Sequence, residues 1–364
     1  MQIVGVGSAF PANRYPQEAI TGALKAHWGD RLTHPELLDR LHSRARVKQR
    51  YLAFPLERYP QFENFGETNR AWLEAAAELA ERAIDGALVR AGMGRAELAA
   101  IYVVSVTGVA SPSLDARLIN RMGLRSDIKR TPIFGVGCVG GAIGLTRAAD
   151  YVCAYPAESA VIVAVELCSL TIQRDDLTTV NLIASGLFAD GACAVIVAGA
   201  DRAAGGAGKV SGSGGVRHAR NPRILGSRSF FYPQTEEIMG WEISEKGFAI
   251  VLSEKLPALI RSRLAGDVDT FLAGHGLKRG DLGNWVIHPG GPRVIEAVEE
   301  ALDLHNGELA RSWECLERVG NLSSASVLCV LEDTLVAHRP EPGAYGLILA
   351  MGPGFCAEML LVQW

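Results

Sequence analysis

The chain has 364 residues, 48% hydrophobic and 21% charged, with a net charge of −4. That length supports a large core in two structural halves, and the charge excludes an electrostatic case for nucleic-acid binding. Seven scattered cysteines with no C-x-x-C pair and no H-E-x-x-H spacing argue against a disulfide scaffold, a structural zinc or any metal, and reduced thiols point to the cytoplasm.

The start of the chain, MQIVGVG, has neither a basic n-region nor a long apolar h-region, so no signal peptide is expected. Nor does any apolar run reach the ~18 residues of a membrane span. Periodicity predicts a buried strand over 2–9, then charged helices over 17–27 and 34–44. A long alanine-rich helix over 67–92 stops at Gly92. A β-branched strand follows over 100–107, a helix over 113–122 and a strand over 131–137. Next come a helix over 138–155 and apolar strands over 159–166 and 192–199. The Gly-, Ala- and Ser-rich stretch 203–215 reads as a connection. Beyond it strands are expected over 224–231, 248–253 and 284–288, helices over 257–274, 292–303 and 323–337, and closing strands over 345–351 and 356–363. The β-α alternation in each part suggests two related α/β halves, residues 1–205 and 206–364.

The most informative run is PIFGVGCVGGAIG, residues 132–144. A strand ends in glycines, one thiol follows, and a helical pattern begins. The partial positive charge of a helix N-terminus favours thiolate at Cys138, and the glycines leave room around the sulfur. The same run also spells G-x-G-x-x-G at Gly135, Gly137 and Gly140, with Glu158 downstream. An NAD-dependent oxidoreductase is therefore an alternative on that motif. The other six cysteines read as small buried hydrophobes.

Of eight histidines, His288 ends an apolar strand and turns through Pro289-Gly-Gly-Pro into a helix, a usual place for a site residue in α/β proteins. The others, His42 among them, lie in polar or helical-surface contexts and read as solvated. Asn321, in Gly320-Asn-Leu-Ser-Ser-Ala-Ser, precedes a helix. It reads as an N-cap, as an amide donor to an oxyanion, or as both.

G-x-G-C-x-G-G, H-P-G-G-P and G-N-x-S-S-A-S in that order resemble the type III polyketide synthases, the chalcone-synthase-like branch of the thiolase superfamily. Ser185-Gly-Leu-Phe-Ala-Asp-Gly-Ala, Thr107-Gly-Val-Ala-Ser-Pro and Met351-Gly-Pro-Gly-Phe extend the resemblance over nearly the whole chain. It implies a layered αβαβα fold and a homodimer working without a cofactor. Cys138 would carry the acyl group and His288 would keep it as thiolate. His288 and Asn321 would donate hydrogen bonds to the thioester oxygen of malonyl-CoA as it loses CO₂. A ketoacyl-ACP synthase III-like enzyme shares this chemistry, but those typically carry an Asn-bearing stretch around the His where this chain has Pro-Gly-Gly-Pro.

The resemblance also assigns the walls of the site. Phe188 matches one gatekeeping aromatic, while the second gate position holds Ile250 by spacing, with Phe248 two residues earlier. Val106, Ser111, Cys168, Thr171 and Ser323 fall on the substrate cavity, Ser111 where plant enzymes reach across to the partner subunit. Arg40 and Arg44, in a basic run that continues through Arg46, Lys48 and Arg50, match CoA-phosphate contacts, as does Arg293; Leu37 replaces a lysine expected there. The wording around Ser111 and Cys168 looks like bacterial members that load fatty acyl-CoA and make alkylpyrones or alkylresorcinols.

Overall fold

The computed structural model describes residues 1–205 and 221–364. The connection expected at 203–215 lies mostly outside the described residues; its first part belongs to the short helix Ala200–Gly205.

Nine strands form one mixed sheet. In spatial order they are Leu282–Ile287, Tyr345–Gly352, Cys356–Gln363, Arg223–Phe231, Gln2–Ala9, Asp190–Ala198, Ser159–Leu167, Ala100–Val104 and Lys129–Ile133. Where strands from before and after residue 205 meet, the ladder is one register pair, Gln2 with Arg223. Ile3 N–H to the Pro222 carbonyl (2.9 Å) and Ile224 N–H to that of Met1 (3.1 Å) extend it.

Helices lie on both sides of and between these strands. Phe65–Ala91 covers Gln2–Ala9, Ser159–Leu167 and Asp190–Ala198 on the outside, burying Trp72, Leu79, Ile84 and Leu88. Helices Leu256–Ala273 and Pro292–Leu302 share the opposite outer core with Trp285, Leu347 and Leu361. Helices Gly140–Ala154 and Ser326–Val336 form the middle layer, in a core with Ile162, Val195, Ile348 and Leu360. This is the layered thiolase-like α/β architecture expected from the sequence. Ser159–Leu167 is buried along its whole length, because helices cover both of its faces; its side chains are accordingly apolar almost without alternation.

Two strands are shorter than the pattern predicts. Those expected over 100–107 and 131–137 end at Val104 and Ile133, and the chain beyond each becomes site loop. The helix expected from residue 138 begins at Gly140, after a 3₁₀ turn over Gly137–Val139. Helices Thr179–Leu187 and Ala310–Val319, the ribbon Asn13–Pro16/Gln49–Leu52 and the strand Met239–Ser244, which pairs with the expected strand at Gly247–Leu252, add to the expected elements. All are short, and short segments carry few periods to read.

Candidate active site

Cys138 sits in the 3₁₀ turn that leads into helix Gly140–Ala154, and the residue is 6% exposed. The glycines around it make close packing possible. Gly137 has φ +54°, and a Cβ there would lie 2.4 Å from Pro353 Cδ. A Cβ on Gly140 would lie 2.6 Å from Val104 Cγ1, and one on Gly141 2.2 Å from the Ser324 carbonyl oxygen. Protein already fills the space beside Gly137 and Gly140, which argues against these glycines as a pyrophosphate cradle.

The thiol's side-chain partner is Ser323 Oγ, at 3.6 Å. Ser323 itself holds a left-handed φ of +48°, a conformation that a non-glycine residue keeps only where its surroundings enforce it. Part of that enforcement is visible: the Ser323 N–H donates to Asn321 Oδ1 at 2.8 Å. Ser326 Oγ donates to the same oxygen at 3.3 Å, and Asn321 Nδ2 donates to the Gly290 carbonyl at 3.0 Å. The amide orientation follows from these bonds, and one N–H of Nδ2 is left over. Asn321 thus lies one residue before the N-cap position, Leu322, accepts from the turn that follows, and keeps one N–H of Nδ2 unbonded.

Gly290 N–H returns to the His288 carbonyl at 3.0 Å, so the Pro-Gly-Gly-Pro loop ties His288 to Asn321. The imidazole is 3% exposed, and neither ring nitrogen has a hydrogen-bond partner among the described residues. Burial pushes its pKa down to about 3. Burial also pushes the Cys138 thiol up to about 12, against the opposing hydrogen bond from Ser323. Desolvation therefore opposes the thiolate that the sequence leads one to expect at Cys138.

Glu166 lies beneath the thiol. Fully buried, it accepts hydrogen bonds from Val106 N–H (3.1 Å), Thr107 Oγ1 (2.8 Å), Ser105 Oγ (3.3 Å) and Ser324 Oγ. Burial raises its pKa to about 7 despite these donors. The sequence reading passed over this residue. The available signal was a single acid closing a strand of otherwise apolar residues, SAVIVAVE.

Of the cavity positions, Val106, Cys168, Thr171 and Ser323 are buried. Val106 reaches the site through Glu166 and Ser323 through the thiol itself, while Thr171 Oγ1 donates to the Cys168 carbonyl at 2.8 Å. Ser111, which the resemblance places toward a partner subunit, is exposed in this single chain. Phe188 and Ile250 are both half-buried. Helix Thr179–Leu187, which ends at Phe188, packs on strand Gly247–Leu252, which carries Ile250. Phe248 is 2% exposed and ringed by Phe65, Phe134 and Trp241 at centroid distances of 5.3, 6.2 and 6.0 Å. Trp241, which the sequence reading missed, stands directly across the ribbon from Ile250.

Arg40 and Arg44 are exposed on one face of helix Pro35–Arg44, and Arg293 is exposed in the first turn of Pro292–Leu302. The rest of the basic run is committed elsewhere. Glu317 pairs with Arg46 at 3.2 Å and with Lys48 at 2.7 Å. Arg50 is 1% exposed and faces inward. His42 is corrected as well: it is 2% exposed, its Nδ1 lying 2.8 Å from Thr21 Oγ1 and its Nε2 3.2 Å from Ser185 Oγ. His218 lies outside the described residues. A surface cleft of about 600 Å³ lined by Lys25, His42, Arg46 and Lys48 does not include Cys138, His288 or Asn321. Among the described residues no cluster of His, Cys, Asp or Glu is placed to hold a metal, and no helix is long and apolar enough to cross a membrane.

Residues 1–202 match the N-terminal domain of chalcone and stilbene synthases, and residues 224–364 match their C-terminal domain. The chain is 47% identical over 362 residues to the 1,3,6,8-tetrahydroxynaphthalene synthase of Streptomyces peucetius subsp. caesius, covering 100% of this chain and 93% of that one. It is 32% identical over 292 residues to an alpha-pyrone synthesis polyketide synthase-like protein of Mycobacterium tuberculosis, covering 79% and 69%. Among solved structures, the 1,3,6,8-tetrahydroxynaphthalene synthase of Streptomyces coelicolor superposes with a TM-score of 0.90 at 30% identity. That match covers 100% of this chain and 99% of the other.

Proposed function

The chain belongs to the chalcone and stilbene synthase family, the type III polyketide synthases, and from that membership we propose a division of labour among its residues. Enzymes of this family are acyltransferases that condense acyl-CoA and malonyl-CoA. In this chain Cys138 carries the growing acyl group as a thioester. His288 takes the thiol proton as the acyl-CoA carbonyl is attacked and hands it to the departing CoA sulfur, so that CoA leaves as a thiol and the imidazole is neutral again. The malonyl thioester oxygen then lies against an N–H of His288 and the spare N–H of Asn321. The bond to the malonyl carboxylate breaks, CO₂ departs, and the electron pair stays on the α-carbon as an enolate. That carbon attacks the acyl carbonyl on Cys138, and the sulfur leaves. Each oxyanion donor typically contributes about 2.7–4 kcal/mol of barrier.

One observation carries this reading. In a buried site whose other polar groups are bonded, the free N–H of Asn321 and the unpartnered ring of His288 are the donors left over. Burial keeps that imidazole neutral, so it has one N–H to offer.

The identity to a tetrahydroxynaphthalene synthase supports a polyhydroxylated naphthalene as the product. A second reading, an alkylpyrone or alkylresorcinol from a fatty acyl starter, is supported by the mycobacterial relative and the small side chain at Cys168. The two are separated by incubating the protein with malonyl-CoA alone and then with an added panel of acyl-CoAs, and identifying products by mass. A polyhydroxylated naphthalene is expected. Cys138→Ala should make none, and full product formation by that variant would sink the nucleophile assignment. The working form is a homodimer in the cytoplasm, in which the exposed Ser111 faces a neighbour.

A further inference from the structure

Arg50 is the one arginine among the fully buried large side chains. Removing a guanidinium from water is costly unless its donors are used; here Nε and Nη1 bond an amide and a main-chain oxygen rather than a carboxylate fork, and Nη2 has no partner among the described residues. Nη1 donates to the Phe188 carbonyl at 2.7 Å, and Nε donates to Gln17 Oε1 at 3.1 Å. Gln17 in turn donates through Nε2 to the Gly186 carbonyl at 2.8 Å. Between those two carbonyls lies that of Leu187, which accepts from Asn321 N–H at 2.9 Å. Ala189 N–H closes the isolated bridge by donating to the Asn321 carbonyl at 2.9 Å. Three consecutive carbonyls are therefore held by Gln17, Asn321 and Arg50.

The arginine stem touches the other side of the same bridge. Gly320, next to Asn321, has φ +76°, and a Cβ there would lie 3.2 Å from Arg50 Cγ and 3.1 Å from the Leu187 oxygen. Asp190 is close enough for its charge to bear on the guanidinium, but its own oxygens accept from Ala53 N–H at 2.6 Å and Ser169 N–H at 2.8 Å.

We propose that Arg50 is a positioning residue: it fixes the Phe188–Asn321 bridge, so that one buried guanidinium aims the Asn321 amide. The inference rests on the role given above to Asn321. Its consequence is specific to the decarboxylation half of the cycle, because the acyl-loading half runs on Cys138 and His288, which Arg50 does not bond.

The test uses the full chain and two readouts: CO₂ release from malonyl-CoA, and acylation of Cys138 by an acyl-CoA, followed by intact mass. For Arg50→Lys, which keeps the charge and loses the fork, we expect kcat for CO₂ release to fall about 10- to 100-fold, as misaligned catalytic groups do. KM for malonyl-CoA and the acylation rate should hold within about 2-fold, the latter because bonds to Cys138 are untouched. Gln17→Leu should shift the same readout in the same direction by less. A folded Arg50→Lys protein that releases CO₂ at the wild-type rate overturns the inference, and so does a variant whose acylation falls in step with CO₂ release. If Arg50→Lys does not fold, Gln17→Leu decides by the same criteria. A wild-type protein that acylates Cys138 but releases no CO₂ overturns the proposed reaction instead, an outcome readable without any variant.

Discussion

Burial sets the charge of the groups around Cys138 more strongly than their neighbours do. His42 gives the cleanest consequence, since it lies away from the thiol. Desolvation first, and the Arg50 charge second, push its pKa from 6.5 down to about 4. The folded chain therefore binds fewer protons than the unfolded chain between those values. The stability His42 lends is complete above about pH 6.5 and is lost as pH falls through about 4. A His42→Gln variant should lose less stability than wild type over that interval, measured as urea midpoints at pH 7, 5 and 4; parallel midpoints would count against the assignment. From sequence this residue looked solvated, because its partners Thr21 and Ser185 arrive from other helices. Cys138, His288 and Asn321 were legible for the opposite reason. Each is marked locally, by glycines or prolines that bend the chain where a side chain must be presented. Arg50 carried no such mark: in one dimension it is the last member of a basic run, and only the fold turns it inward.

Between elements, the decisive contact is that of the two middle-layer helices. Glycine inside a helix costs about 1 kcal/mol relative to alanine, yet Gly140–Ala154 contains Gly140, Gly141 and Gly144. The contact distances explain this. A Cβ on Gly141 would strike the Ser324 carbonyl at 2.2 Å, and one on Gly144 would meet Ile162 Cδ1 at 2.5 Å. Gly141→Ala should destabilise the protein by about 1–3 kcal/mol and depress product formation, because Ser324 neighbours Ser323 and bonds Glu166. Gly22, in helix Gln17–Trp28, has nothing within 4 Å of its virtual Cβ and serves as the control. Gly22→Ala should stabilise by about 0.4–1 kcal/mol. Urea unfolding checks both, and equal effects would refute the packing argument. The long elements were readable from their periods, but this contact was not, since Gly141 and Ser324 are far apart in the chain and neither side of the contact has a distinctive side chain.

For the whole molecule, the sheet ends at Lys129–Ile133, a strand paired on one side with Ala100–Val104 and exposed over nearly its full length. Val109 and Phe134, in the loops that follow the last two strands of the sheet, are 40% and 46% exposed, and Ser111 is exposed as well. An open edge with exposed apolar neighbours invites pairing with another chain. Light scattering on the purified protein should give twice the mass of one chain, and a monomer that makes full product would remove Ser111 from the cavity altogether. The sequence could not reveal whether Ser111 faces a cavity, because in one chain it faces water.

Helices Gly140–Ala154 and Ser326–Val336 both begin beside the Cys138 sulfur, the second through the turn that carries Ser323. Their N-terminal ends add partial positive charge where burial disfavours the charged forms of the thiol, the imidazole and Glu166. In the proposed mechanism these helix ends, rather than a lysine or arginine, meet the enolate's charge. Arg40, Arg44 and Arg293 stand outside in water, where dissolved salt screens whatever they attract. On the proposed assignment, capture of a CoA substrate by these arginines and the chemistry at Cys138 draw on two separate fields, one that ionic strength weakens and one that the backbone supplies.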